Sequence, residues 1–309
     1  MKSSNNILIT GSSGFIGSVV LKELHKNKDN NFFLLKRKNS TMRRIEQLIH
    51  SKRIATFYYD ELEYLFKNRT IDFVIHLATN YIKHDKLDDH KFLIKDNIEK
   101  PSKLLNLSVK NKVKGFINTG TFFEVDENEN FITETSVTKP FNFYAKTKIE
   151  FQNILEVESK GINNVTLRLF SPYGPNDNPK VVPYIIESLL KDIEIDIDNP
   201  NINCDFTYVD DIAKAYVKCI EVMKNGLEMP KLINICSGTF YTLSEVIHYL
   251  EKETNRKIKV NYKNYKSIVL KESSNKLALD AINWMPETNI RDGLYKTYLY
   301  YLDKNKNKR

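Results

Sequence analysis

Short apolar runs alternate with amphipathic stretches through the first half of the chain. Ile7–Thr10, Phe32–Leu35, Ala55–Tyr58, Phe73–Leu77, Gly115–Asn118 and Val165–Phe170 read as buried strands. Between them, Ile16, Val19, Val20 and Leu24 share one helical face, and Leu104, Leu105 and Leu107–Val109 mark another helix. Strands alternating with helices predict an α/β fold whose parallel sheet is covered on both faces. From about Pro175 the rhythm changes. Val181–Lys191 and Asp210–Lys224 read as helices flanking a short extended segment, Cys204–Val209. Ile233–Cys236, Leu243–Glu253, Ile258–Tyr262 and Ile290–Asp303 follow, as a smaller mixed α/β region, and Asp303–Arg309 reads as a frayed basic tail.

With 41% hydrophobic and 28% charged residues among 309, a packed core is expected rather than disorder. The formal charge of +8 suggests anionic partners. The Lys and Arg are scattered and no stripe of aromatics accompanies them, which points to phosphorylated small molecules and away from nucleic acid. Three cysteines, Cys204, Cys219 and Cys236, lack metal-ligand spacing, so no metal site and a reducing compartment are expected. No run reaches membrane-spanning length, and no long apolar segment opens the chain. A soluble, cytoplasmic protein without a membrane partner is the expectation.

Thr10-Gly11-Ser12-Ser13-Gly14-Phe15-Ile16-Gly17 follows the first strand and opens the first helix. Its glycines serve a tight turn, a close backbone approach to pyrophosphate and close helix–strand packing. The helix N-terminus adds a positive dipole and free N–H groups for phosphates. This is the cradle of a dinucleotide-binding (Rossmann) fold. Farther on, Tyr144 and Lys148 stand four residues apart on a predicted helix, so phenol and ammonium are neighbours on one face. A cation beside a phenol favours phenolate and lowers a pKa of about 10, which suits general acid–base work on a carbinol or carbonyl.

The spacing G-x-x-G-x-x-G, together with Tyr-x-x-x-Lys, resembles the extended short-chain dehydrogenase/reductase family: nucleotide-sugar epimerases, dehydratases and reductases. The likeness continues through nearly the whole chain. Arg168-Leu169-Phe170-Ser171-Pro172-Tyr173-Gly174-Pro175 is similar to the family's R-x-F-N-x-Y-G-P segment, and Asp205-Phe206-Thr207-Tyr208-Val209-Asp210-Asp211 to its R-D-F-x-Y-V-D-D signature. Asn234-Ile235-Cys236-Ser237-Gly238 resembles N-I-G-S-G, and Asn283-Trp284-Met285-Pro286 resembles G-W-x-P.

The resemblance implies a division of labour. Residues 1–175 would mainly hold the cofactor and 176–309 mainly the sugar nucleotide, with elements partly interleaved. Thr121, with Thr119 as the weaker alternative, falls where the family places the Ser or Thr that hydrogen-bonds the reacting oxygen. Thr121, Tyr144 and Lys148 are then the catalytic set. Gly11, Ser13, Gly14, Phe15, Ile16 and Gly17 would cradle the cofactor phosphates, Asp60 would contact its adenine, and Leu77, Ala78 and Thr79 would lie beneath the nicotinamide ribose. Tyr144 and Lys148 also belong to that cofactor set, and His76 reads as structural. Phe122, Phe123, Ser171, Lys180, Val181 and Cys204 would face the substrate. Cys204 replaces the family's diphosphate-binding Arg, a role open to Lys180 or Lys191. A homodimer is implied as well.

NAD enzymes usually place an acid about twenty residues past the glycines. Leu34-Leu35-Lys36-Arg37-Lys38-Asn39-Ser40 has none, so a 2′-phosphate is welcome and NADP(H) is expected over NAD(H), gripped by Arg37 with help from Lys36, Lys38 or Ser40.

Two departures narrow the reaction. Family dehydratases carry an Asp-Glu pair directly after the catalytic Thr, where this chain has Phe122-Phe123, with Glu124 one place late. Members that epimerise C3 and C5 use a Cys beside the catalytic hydroxyl and a His in the sugar region, and both are missing. Simple hydride chemistry at C4 remains. Within the family, the segments around Asn80-Tyr81, Thr121-Phe122-Phe123 and Asn176-Asp177 look most like the abequose-synthase group. Its members reduce the 4-keto group of CDP-linked dideoxysugars for surface polysaccharides. A C4 epimerase with bound NAD is the alternative within enzymes, and a non-catalytic NADP(H)-binding sensor the alternative outside them.

Overall fold

A computed structural model of the chain describes residues 4–82, 86–263 and 271–306. The first layer is built by β1 (Asn5–Thr10), α1 (Phe15–His25), β2 (Asn30–Lys36), β3 (Ile54–Tyr58), α2 (Leu62–Asn68) and β4 (Phe73–His76). Next come α3 (Leu87–Ile94), α4 (Lys100–Lys110), β5 (Gly115–Thr121), the short β6 (Phe131–Ile132), α5 (Phe143–Glu158) and β7 (Asn163–Leu169). The chain continues through α6 (Val181–Lys191), β8 (Ile195–Ile197), β9 (Asn203–Asp205), α7 (Val209–Lys224) and β10 (Leu232–Ile235). It closes with β11 (Phe240–Thr242), α8 (Leu243–Thr254), β12 (Val260–Tyr262), β13 (Glu272–Ser273), α9 (Lys276–Ile282) and α10 (Ile290–Lys306).

Seven strands form one parallel sheet in the order β10-β7-β5-β4-β1-β2-β3. The expected doubly wound parallel sheet is therefore present. Its strands are apolar on both faces because both faces are covered: Ile7 and Ile9 join one core with α1, α7 and Trp284, while Leu8 joins another with α2, α4 and α5. Strand order reverses between β1 and β4, and ligands of such sheets bind in the crevice at the carboxyl ends there.

Three elements beyond residue 175 join this sheet and its cover. Helix α7 packs against α1, β10 extends the sheet beside β7, and α9 packs on both α7 and β10. This explains why α1 is buried so widely, with Phe15, Ser18, Val20, Leu21 and Leu24 all enclosed. A separate core joins α6, α8 and α10 to Tyr173, Phe206 and Tyr208. Of the expected extended segment Cys204–Val209 only Cys204 and Asp205 are strand, within β9; α7 starts at Val209, one residue earlier than the pattern suggests. Helix α10 runs on to Lys306, into the stretch read as a frayed tail, and residues 307–309 lie outside the described residues.

The family-like segments tie together elements distant in the chain through buried carboxylates. Asp205 accepts from the Ser237 and Gly238 N–H groups at 2.7 and 2.8 Å and from the Ser273 hydroxyl at 2.5 Å. Asp211 accepts from the Glu287 and Thr288 N–H groups at 3.1 and 2.8 Å, and its carbonyl accepts from the Trp284 indole at 2.8 Å. Buried carboxylates persist when hydrogen bonds satisfy them in this way.

Candidate active site

The cradle after β1 is tight enough to require its glycines. Gly11 takes φ +71°, and a Cβ there would meet the Ala78 nitrogen at 2.6 Å; at Gly17 it would meet the Gly11 carbonyl oxygen at 2.1 Å. The loops after β1 and β4 thus touch, and Thr10 joins them: its hydroxyl accepts from the Ala78 N–H at 3.1 Å and lies 2.8 Å from His76 Nδ1. Burial keeps His76 far below its ordinary pKa and therefore neutral. The first turn of α1 has no acidic side chain, so its N–H groups can receive phosphates. These features fit a dinucleotide. Phe15 is buried, whereas Ser13, Gly14 and Ile16 are partly accessible.

At the end of β2, Lys36, Arg37 and Lys38 spread rather than cluster. Lys36 Nζ sits 5.0 Å from the centroid of the Tyr58 ring, and Lys38 pairs with Asp60 at 2.9 Å. The Arg37 guanidinium donates to the Thr79 carbonyl at 3.2 Å and lies 3.8 Å from Asp96, and the Arg37 backbone N–H donates to the Ser40 hydroxyl. Arg37 therefore bridges the β2 turn and the loop carrying Leu77, Ala78 and Thr79.

Asn142 accepts from the Ala145 N–H and starts α5, and this helix carries Tyr144 half-buried and Lys148 fully buried. Tyr144 shares a hydrogen bond with Thr79 and meets the Tyr81 ring edge-on, centroids 5.0 Å apart. Sequence reasoning expects an acidified phenol. In the structure, desolvation is the largest influence on Tyr144 and pushes its pKa up, with Glu124 and Tyr81 adding to the rise and the Thr79 hydrogen bond opposing it. Burial pushes Lys148 down to about 8, against the pull of the Glu124 carboxylate. Enclosed in this way, the phenol is held as a phenol.

Thr121 ends β5 and caps a short turn, Phe122–Glu124. Its hydroxyl oxygen accepts from the Phe123 N–H at 3.4 Å, which leaves its own proton to donate. Thr119 is committed elsewhere: its hydroxyl donates to the His76 carbonyl and contacts Tyr216, each at 2.8 Å. Phe122 and Phe123 lie 4.4 Å apart, stacked on Phe170 and Phe141 respectively, so an aromatic wall stands directly beyond Thr121.

The remaining substrate-facing positions divide into two groups. Ser171 and Cys204 are hydrogen-bonded neighbours, and burial pushes the Cys204 thiol up, away from reactivity. Lys180 pairs with Asp177 at 3.4 Å and lies 5.4 Å from the centroid of Phe15, so it links the substrate segment to the cradle, with Val181 opening α6 beside it. Lys191 is instead tied to Glu187 on the exposed side of α6.

Several residues escape the sequence reading. Between α3 and α4 the helix passes through a π turn, Lys95–Glu99, a distortion that recurs at functional sites. It buries Asn97, which receives the Asn80 N–H at 2.7 Å and donates to the Asn80 carbonyl at 2.9 Å and the Thr147 hydroxyl at 3.1 Å. Thr147 in turn donates to the Tyr144 carbonyl at 2.7 Å. Asp96 holds Asn80 and Lys100. Arg44 donates to Asn176 and Asn178, fastening the loop after β7 to the segment between β2 and β3. Among the described residues no group of three or more His, Cys, Asp or Glu could hold a metal, and no helix is long and apolar enough to cross a membrane.

Comparison with known proteins agrees with this geometry. The chain is 26% identical to a CDP-abequose synthase of Salmonella muenchen, covering 95% of this chain and 97% of that one. It is 25% identical to a dTDP-4-dehydro-6-deoxyglucose reductase of Escherichia coli, covering 94% and 96%. The UDP-glucuronic acid 4-epimerase of Bacillus cereus, solved with UDP-glucuronic acid and NAD, superposes with a TM-score of 0.86 at 25% identity, over 97% of this chain and 99% of that one. The model of the NAD dependent epimerase/dehydratase family matches residues 7–236, the span from β1 to the turn after β10, and the chain belongs to that family.

Proposed function

We propose that this protein reduces the C4 keto group of a nucleoside-diphosphate-linked 4-keto-6-deoxy or 3,6-dideoxy sugar with NADPH, in the synthesis of a surface polysaccharide. The observation that carries this reading is the set of groups around Thr121. Phe122 and Phe123 are aromatic and stacked, and Glu124 is engaged with the Thr121 N–H and Arg168. Elimination of water needs a further acid–base pair here, whereas reduction needs one proton donor, and Tyr144 answers that need.

A dinucleotide held by the glycine cradle would supply the hydride for C4. Thr121 donates a hydrogen bond to the C4 oxygen, and Tyr144 delivers the proton as that oxygen gains charge. A phenol whose pKa is raised by burial rests protonated, as a donor should. Lys148 lies one helical turn from Tyr144, where its ammonium steadies the developing phenolate and holds the nicotinamide ribose. At the other end of the cofactor, Arg37 would exchange Asp96 for a 2′-phosphate, and residues 34–40 carry no acid to repel it. Full-length similarity to a CDP-abequose synthase and to a dTDP-4-keto sugar reductase supports both the reaction and the substrate class.

The Bacillus cereus likeness favours a second reading, a C4 epimerase with resident NAD. The test follows NADPH absorbance with CDP-, GDP-, dTDP- and UDP-linked 4-keto-6-deoxysugars. Net, sugar-dependent oxidation is expected. Copurified NAD with no net NADPH consumption would overturn the reductase and leave the epimerase; tight NADPH binding without turnover of either kind would leave a sensor.

A further inference from the structure

Glu124 is the carboxylate that stands one place beyond the position where a dehydratase would use it, and its surroundings are shaped to receive it. Its Oε1 accepts the Thr121 N–H at 2.8 Å, and its Oε2 lies 3.4 Å from Arg168 Nε. The two side chains are only 1% and 3% exposed. Gly120 makes room: a Cβ there would press to 3.1 and 3.3 Å from the two carboxylate oxygens. Arg168 is the register partner of Gly120 on β7, so strand pairing delivers the guanidinium to the same spot.

Burying an ion pair is a poor way to gain stability, since apolar replacement is often neutral or better. Packing alone therefore does not account for three positions arranged around one carboxylate. What Glu124 holds is the backbone of Thr121. The turn is a capping box, in which the Thr121 hydroxyl accepts from the turn's N–H groups while the Glu124 carboxylate accepts from Thr121's own N–H. From this geometry we propose that Glu124 is a positioning residue for C4 reduction: clamped by Arg168, it fixes the end of β5 so that the Thr121 hydroxyl keeps its proton for the substrate oxygen. The proposal rests on the reductase reading above.

The groups facing Glu124 extend its reach. Arg168 approaches from β7, and Lys148 and Tyr144 from α5. Behind Arg168, Asn234 on β10 accepts from the guanidinium at 3.4 Å while its N–H donates to Glu134. The Glu124 charge opposes the loss of the Lys148 proton and the ionisation of Tyr144. Burial pushes Glu124 itself up, and Arg168, the Thr121 N–H and Lys148 pull it back toward the carboxylate.

A double-mutant cycle tests the proposal. Glu124→Leu, which removes both acceptor oxygens, should lower kcat roughly ten- to hundredfold, the order of a misplaced reacting group, with KM for NADPH unchanged. In a Thr121→Val background the same substitution should cost less than about twofold, because no hydroxyl remains to be placed. Both are read well below the Lys148 value of about 8, so that its ammonium is present in each variant. Equal losses in both backgrounds would overturn the proposal. If Glu124→Leu does not fold, because Arg168 is left unpaired, the cycle is run with Arg168→Met added, which removes both charges. An activity-free measurement separates this proposal from the reaction itself. By NMR hydrogen exchange the Thr121 amide, which donates to Glu124, should exchange roughly tenfold faster in Glu124→Leu. A wild-type protein inert toward every keto sugar would end the reductase reading. An equally protected Thr121 amide would end the part assigned to Glu124.

Discussion

The ends of β5 and β2 both gather charged side chains at the rim of one sheet, and they are built in opposite ways. Beside β5, Glu124, Lys148 and Arg168 are buried, and burial pushes Glu124 up and Lys148 down. At the end of β2, Arg37 and Lys38 are exposed, sharing their charge with Thr79, Asp96 and Asp60. A buried charge costs several kcal/mol unless its partners are in place, whereas an exposed pair is screened and exchangeable. The β5 end is therefore a device in which each atom has a fixed position. Under the proposed function the β2 end would meet its ligand through exchangeable contacts, with Arg37 as a fork and the charges around it acting by their sum.

The largest effect that could break this contrast is at Tyr144. Tyr144→Phe should lower kcat by roughly 10²- to 10⁴-fold, the range for one general acid, with NADPH affinity retained. Fluorescence titration of NADPH beside steady-state turnover measures both, and near-normal turnover would dismiss Tyr144 as the donor.

Lys148 comes next. Because kcat/KM reports the free enzyme, it should fall as pH rises through about 8, where Lys148 loses its proton. Lys148→Arg, which stays charged, should move that fall to higher pH even though its overall rate is lower. Stability should run the other way. The folded-state value lies below the ordinary 10.5, so the unfolded chain binds the proton more strongly. The penalty is full below about 8 and is relieved as pH rises toward 10.5, so the midpoint of urea unfolding should show Lys148 contributing an upward slope there.

Much of this was legible beforehand, for identifiable reasons. Buried parallel strands announce themselves as apolar runs, and the six read from the sequence all appear in the sheet. The cradle was legible because only glycine fits at Gly11 and Gly17. What stayed hidden depends on pairings distant in sequence. Glu124 and Arg168 are 44 positions apart, and nothing local says that strand register will bring them together. Asn97 sits in a π turn that its residues do not advertise, and the raised pKa of Tyr144 follows from enclosure by Thr79, Tyr81 and Glu124. Helix spacing alone suggested the opposite shift, since it shows Lys148 as a neighbour and does not show the desolvation.

Arg37 sharpens the comparison at the exposed end. Arg37→Ala removes a fork able to hold a 2′-phosphate bidentately. The ratio of kcat/KM for NADPH to that for NADH should fall about tenfold, or about 1.4 kcal/mol. An unchanged ratio would show that cofactor choice lies elsewhere. Because Arg37 also donates to the Thr79 carbonyl, beside Tyr144, a small loss of kcat with both cofactors is expected as well.

The smallest effect belongs to Lys38 and Asp60, and its smallness is the test. Both side chains are exposed, and their 2.9 Å contact holds Lys38 up and Asp60 down from their ordinary pKa values. If the β2 end works by summed charge, Lys38→Ala should weaken NADPH binding and Asp60→Asn, which frees Lys38, should strengthen it, against the adenine contact that the family resemblance implies for Asp60. Each change should be about twofold at low salt, with no measurable shift in Tm. Both differences should vanish near 1 M salt, where charges are screened beyond about 3 Å. A large, salt-resistant loss in Asp60→Asn would instead mean that Asp60 makes a direct contact with the cofactor, and that this end too is built atom by atom.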